Sequence, residues 1–284
     1  MSAEHPDSST DLDSILRYPG SKWDQMRQIV SFLGQTYHNH WVDVFGGSGA
    51  GILGKPPSRM ETFNDRDKHI FNLFNVLQDD HLRRKLGRLL TYTPFRSFDH
   101  YKMALALLQE PSHDPVKNAW AFLVVSHQGM CIVHAALQRP SHFSRLVKPY
   151  SAESWLNLPD SLDKAARRFR AVQVANDPWE KTIATFDARR TVFFCDPPYP
   201  PTTVSRRFYP WEMTIEEHDA FLRRLQDIEG YAIVCSYDNC LYRECLKNWR
   251  LETYPTRERL TIQGFRNPRE ELVWLNYDER GRKL

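Results

Sequence analysis

The 284-residue chain has no stretch approaching the ~20 consecutive apolar residues of a membrane span, so it predicts no transmembrane helix. Cysteine is scarce. The five, at 131, 195, 235, 240 and 245, are odd in number and form no Cys-x-x-Cys pair. Neither a disulfide framework nor a zinc site is suggested, and no metal is expected. Net charge is only +3, so this is no polybasic tail protein. Any nucleic-acid contact must come from local clusters of Lys and Arg. The opening MSAEHPDSSTDLDS is polar and lacks the apolar core of a signal peptide. Residues 1–14 are expected to be disordered, and a reducing cytoplasm is the expected location.

Short apolar strands alternate with helical stretches, which predicts an α/β fold with a mainly parallel sheet. Ser21 can cap a helix over 22–34 that carries Met26, Ile29, Val30 and Leu33 on one face. WVDVF (41–45) and METFN (60–64) read as strands, with a helix from Lys68 to Leu77 after the second. From about Leu82 to Arg170 the alternation stops. FDHYKMALALLQ, VKNAWAFLVVSHQG and AESWLNLPDSLDKAARRFRA are helical in pattern and separated by Pro111, Pro140 and Pro149. The rhythm then resumes with strands at 171–175, 191–195 and 231–236. Thr214-x-x-Glu217 is a capping box that opens a helix to about Asp227. LTIQG (260–264) and ELVWLNY (271–277) are expected to close the sheet. The expected layout is one sheet domain, residues 15–91 and 171–284, interrupted by a helix-rich insertion over 92–170.

Three segments carry chemistry. In Asp43-Val-Phe-Gly-Gly-Ser-Gly a strand ends in an acid and a glycine-rich turn, which lets backbone approach a nucleotide-like ligand. The pattern is neither GxGxxG nor a phosphate-binding loop with its Lys-Ser/Thr, so pyrophosphate and triphosphate are not indicated. Asp65, about twenty residues beyond the glycines, stands where a carboxylate can take two ribose hydroxyls. Asp67 competes for that role or caps the following helix. An adenosine without phosphates is favoured, and S-adenosylmethionine fits. The third segment, Asp196-Pro197-Pro198-Tyr199, follows the strand TVFFC. Proline has no N–H to continue a ladder and restricts the residue before it, so the exit is stiff. Asp196, the Pro197 carbonyl and the Tyr199 ring then offer two acceptors beside a flat face, which suits a planar heterocycle with an amino group.

In that order LRYPGSK (16–22), DVFGGSG, FNDRD (63–67) and DPPY resemble the DNA adenine-N6 methyltransferase family, the Dam-like or alpha group of amino-methyltransferases. The stretch RRFYPWEMTIEEHDAFLRRL and the final REELVWLNY are similar as well. The resemblance covers about 15–80 and 170–277. It implies a Rossmann-like S-adenosylmethionine-dependent sheet with an inserted target-recognition domain. By the same resemblance Lys22, Tyr18, Gly20, Phe45 and Gly47 hold the methionine part, Asp65 the ribose and Asp177 the adenine amino group. The full cofactor set expected is Tyr18, Gly20, Lys22, Asp43, Phe45, Gly47, Gly49, Asp65, Asp177 and Asp196. The catalytic set is Asp196, Pro197 and Tyr199, acting on an adenine flipped from double-stranded DNA.

Asp43-Val44 replaces the family's usual Glu-Pro, which keeps the acid. The insertion departs further, with VVSHQGMCIVHAALQRPSHFSR in place of an aromatic, asparagine-rich stretch. Arg139, Arg145, Lys148, Arg206 and Arg207 are the candidate phosphate contacts. His127, Gln128 and His134 are weaker candidates for base contact. Alternatives are an N4-cytosine or RNA amino-methyltransferase, or an inactive DNA-binding module. A cognate restriction endonuclease is a possible partner.

Overall fold

The computed structural model describes residues 12, 14–18, 20–129, 143, 149–203, 211–254 and 271–284. Most of the N-terminal stretch, LTIQG, His134 and all five candidate phosphate contacts (Arg139, Arg145, Lys148, Arg206 and Arg207) lie outside the described residues.

Seven strands form one sheet: β1 (His40–Asp43), β2 (Met60–Asn64), β3 (Val172–Ala175), β4 (Thr191–Cys195), β5 (Tyr231–Tyr237), β6 (Arg250–Tyr254) and β7 (Glu271–Leu275). Their order is β3-β2-β1-β4-β5-β7-β6. The first five run parallel, and β7 is antiparallel to both β5 and β6. This is the Rossmann-like α/β arrangement that alternating strands and helices predict. β4 shows why its sequence is apolar throughout. Val192 and Phe194 enter the core on one face, while Phe193 and Cys195 enter the core on the other. A strand covered on both sides reads as an unbroken hydrophobic run.

The helices are α1 (Met26–Ser31), α2 (Ala50–Leu53), α3 (Lys68–Gln78), α4 (Asp80–Thr91), α5 (Phe98–Gln109), α6 (Pro115–Gln128), α7 (Pro149–Leu156), α8 (Leu158–Phe169), α9 (Trp179–Phe186), α10 (Ile215–Gln226) and α11 (Cys240–Cys245). α10 opens on the expected capping box, with Thr214 Oγ1 and the Glu217 side chain satisfying each other's backbone N–H. The expected helix over 152–171 is two helices that meet at Asn157. α6 and α8 pack back onto α3 and α4.

The first helix departs from expectation. It spans only Met26–Ser31, and Ser21 does not cap it. The Ser21 hydroxyl instead pairs with that of Ser48 at 2.8 Å, which ties the N-terminal segment to the glycine turn after β1. The carbonyl of Lys22 accepts the N–H groups of Gln25 and Met26, so a turn stands where the first helical turn was expected. The strand beside β7 was also missed, since β6 alternates half-buried and exposed residues at the sheet edge.

A buried ion cluster anchors β2. Glu61 takes Lys55 Nζ at 2.5 Å and a two-pronged contact from Arg168 at 2.5 and 2.7 Å. Lys55 also lies over the Trp41 ring. Burial draws Lys55 down to about 8 despite the pairing, while Arg168 and Lys55 hold Glu61 below its ordinary value against its own burial. Glu61→Ala would leave two buried cations facing each other. A loss of about 4 kcal/mol in urea-unfolding stability is expected, and a loss under about 1 kcal/mol would contradict the buried pairing.

Candidate active site

Parallel strands deliver their carboxyl ends to one edge, and β1 lies between β2 and β4 at the point where the strand order reverses. A crevice opens at such a point. Here it holds about 930 Å³, part of it open to solvent. The loops after β1, β2, β3 and β4 all reach its wall, as does the segment around Lys22.

The glycine turn is shaped by close approach. Gly47 and Gly49 adopt φ of +50° and +80°, the left-handed region in which a side chain is strained. A Cβ on Gly46 would fall 2.1 Å from the Phe63 ring, and one on Gly51 2.2 Å from Asp43 Oδ2. Asp65 braces this turn from the next strand. Its Oδ2 accepts the Gly47 N–H and its Oδ1 the Asp67 N–H, both at 2.7 Å. Burial and the charge of Asp67 push Asp65 up to about 7, while those two N–H bonds pull the other way. Asp67 turns outward and caps α3 through the His69 N–H, so the two acids divide the roles the sequence left open.

Asn64, which sequence reasoning missed, laces three strand ends together. Its Nδ2 donates to the carbonyls of Val44 and Asp177, and its Oδ1 accepts the Asp177 N–H. The available signal was a polar residue ending a fully buried strand. Asp177 thereby reaches the cleft, with its carboxylate also paired to Lys181. Across the mouth, the Arg66 guanidinium lies 4.5 Å from the centre of the half-exposed Trp211 ring, and neither residue was foreseen.

Of the expected cofactor residues, Tyr18, Gly20, Lys22, Phe45, Gly47, Asp65, Asp177 and Asp196 line the cleft. Asp43 and Gly49 do not. Asp43 is fully buried beneath the turn, and among the described residues no side chain forms an ion pair with its carboxylate. Burial, then the charges of Asp196 and Asp65, push it well above its ordinary value.

Asp196 sits at the end of β4, with a side chain about one-sixth exposed and Oδ1 3.0 Å from Lys22 Nζ. The contact is a buried ion pair. Burial raises Asp196 to about 6. Lys22 opposes that rise and Glu271 adds to it. Tyr199 packs edge-on against Tyr237 with ring centres 4.6 Å apart. Of Asp-Pro-Pro-Tyr, Asp196 and Pro198 line the cleft, whereas Pro197 and Tyr199 of the expected catalytic set do not.

Residues 18–261 match the family of D12 class N6 adenine-specific DNA methyltransferases. The chain belongs to that family. No curated protein matches it. As a D12 class methyltransferase it acts in adenine methylation of DNA, and Asp196 and Pro198 at the end of β4 line its cleft. Among the described residues no cluster of His, Cys, Asp and Glu can hold a metal, and no helix is long and apolar enough to cross a membrane. His127 and Gln128 are buried at the end of α6, and His127 Nε2 lies 3.1 Å from the Ile15 carbonyl. Burial draws that imidazole down to about 4, so neither residue is presented to a base.

Proposed function

We propose that the chain transfers the methyl group of S-adenosylmethionine to N6 of an adenine flipped out of double-stranded DNA. The observation that carries this reading is Asp196 and the Pro197 carbonyl standing at the end of β4, beside a glycine turn braced by Asp65. The residues fit the cofactor: Gly46, Gly47 and Gly51 line the cleft without side chains, and Asp65 braces their turn from the next strand. Asp65 takes the ribose hydroxyls, and Asp177 the adenine amino group. Lys22 and the backbone near Tyr18, Gly20, Phe45 and Gly47 hold the methionine part. When bound, S-adenosylmethionine supplies an electrophilic methyl on a sulfonium.

An adenine amino group is a poor nucleophile because its lone pair is delocalised into the ring. Asp196 and the Pro197 carbonyl accept its two hydrogens and so favour a pyramidal nitrogen with a localised lone pair. The N–H proton that must leave passes to the Asp196 carboxylate. The protein's contribution is positioning and electrostatics. Stacking on Tyr199 recovers about 1–3 kcal/mol of the cost of unstacking the base. Residues 92–170 serve as the target-recognition region, and Arg139, Arg145, Lys148, Arg206 and Arg207 contact phosphates. The support is the concentration of basic residues in those stretches.

Incubation with methyl-labelled S-adenosylmethionine and mixed-sequence duplex DNA tests the reading. Label is expected at adenine N6. Label at cytosine N4 or in RNA would replace the substrate, and binding of DNA and cofactor without transfer would leave an inactive binding module.

A further inference from the structure

Glu271, the first residue of β7, lies beyond the family match, and the resembling stretch REELVWLNY that contains it assigns it no role. Its carboxylate is nonetheless buried against the residues assigned to the chemistry. Oε1 accepts the Tyr199 hydroxyl at 3.3 Å and lies 3.6 Å from Lys22 Nζ. Oε2 accepts the hydroxyl of Tyr254, its cross-strand neighbour on β6. Lys22 in turn reaches Asp196 at 3.0 Å, and its ammonium sits 5.1 Å from the centre of the Tyr199 ring. One carboxylate therefore ties both ends of Asp-Pro-Pro-Tyr together, Tyr199 directly and Asp196 through Lys22. The two prolines stiffen the segment, but they do not set the rotamers of the residues at its ends.

We propose that Glu271 is a positioning residue for methyl transfer, fixing the acceptor carboxylate of Asp196 and the ring of Tyr199 relative to each other, with Tyr254 holding Glu271 in place. This inference rests on the reading of Asp196 and Tyr199 as the residues that meet the adenine. A purely structural acid could anchor β7 to β6 through Tyr254 alone. It would have no bearing on the titration of Asp196.

The groups facing Asp196 are Lys22 from the N-terminal segment, Asp43 from β1, Cys195 from β4, Cys235 from β5, Tyr242 from α11, and Glu271 with Tyr199 and Tyr254. Cys195, Cys235, Tyr199, Tyr242 and Tyr254 are each pushed up by burial and stay neutral, and Asp43 is pushed up as well. The charges that act on Asp196 are Lys22 and Glu271. With Glu271 neutralised, Lys22 is left to Asp196 alone, and the Asp196 carboxylate becomes easier to ionise.

The test uses the full chain, labelled S-adenosylmethionine and duplex DNA, with kcat followed across pH and cofactor binding measured by calorimetry. For Glu271→Gln a fall in kcat of about tenfold is expected, together with a shift of the acid limb to lower pH by about one unit. Cofactor affinity should stay within about threefold of the parent's. Glu271→Asp keeps the charge and shortens the reach, so its limb should stay with the parent's while kcat remains low. A Glu271→Gln protein with the parent's limb and turnover overturns the inference. Should that variant fail to fold, Tyr254→Phe decides: reduced kcat at parental melting temperature supports the inference, and parental kcat sinks it. A parent that transfers no methyl group, or an Asp196→Ala protein that still does, would instead defeat the reading beneath it.

Discussion

Asp196→Ala is expected to lower methyl transfer by about a thousandfold or more while cofactor binding is largely kept. The variant removes the only ionisable acceptor at the end of β4, and the Pro197 carbonyl cannot by itself engage both amino hydrogens. The turn that carries the cofactor assignment stands apart from this change, because Gly47 and Asp67 bond to Asp65. Lys22 keeps Glu271 as a partner, so the ammonium is not stranded. The parent's own pH dependence follows from the same group. Asp196 is raised to about 6, so transfer should fall as pH drops through that value, where the protonated acid donates instead of accepting. Asp196→Asn should show no such limb, because an amide does not titrate there. Single-turnover rates at saturating DNA and cofactor are the measurement, and unchanged turnover in Asp196→Ala would refute the assignment.

The architecture was legible where one physical signal dominated. β4 and β5 are buried on both faces, and their apolar runs, TVFFC and YAIVC, mark most of each strand. Helix α3 shows its apolar positions at helical spacing and starts at a capping acid. β6 was illegible because an edge strand with one exposed face has a weak alternating pattern, and its stability comes from pairing with β7. The expected helix over 22–34 failed for another reason. The propensity of those residues is helical, yet Ser21 and Lys22 are committed to Ser48 and to Asp196, and these tertiary contacts shorten the helix.

At the site, the motifs identified which loops meet but not how their side chains divide the work. Nothing in FNDRD distinguishes a brace from a cap. Only the geometry shows Asp65 turned to Gly47 and Asp67 turned to His69. Asp43 looked like a cleft residue from its place before the glycines, yet strand alternation and the tight approach of Gly51 bury it beneath the turn. Glu271 stood in the stretch REELVWLNY, but its role was hidden most completely. It stands about seventy-five residues from the acid it influences, and only the insertion of β7 beside β5 brings the two together.

Lys22→Met should have the second largest effect, and its sign with pH is diagnostic. The ammonium is almost fully buried and lies within 4 Å of both Asp196 and Glu271. Burial alone would lower it, but the two carboxylates outweigh burial and hold it above its ordinary value. A lysine raised in this way contributes stability that is fully present below its unfolded value and lost only as pH rises through the folded one. The parent therefore keeps that contribution throughout the neutral range. In Lys22→Met two buried carboxylates face each other without a cation, so a loss of about 3–5 kcal/mol is expected near pH 8. One of them will take up a proton more readily than in the unfolded chain. The folded state then binds more protons than the unfolded state between the two values, and stability falls as pH rises through that window. Urea unfolding at about pH 5.5 and about pH 8 should show a smaller deficit at the lower pH, with methyl transfer lost at both because the surviving acceptor is shared or protonated. A deficit independent of pH would mean that Lys22 acts through packing alone, and that the two carboxylates do not share its charge.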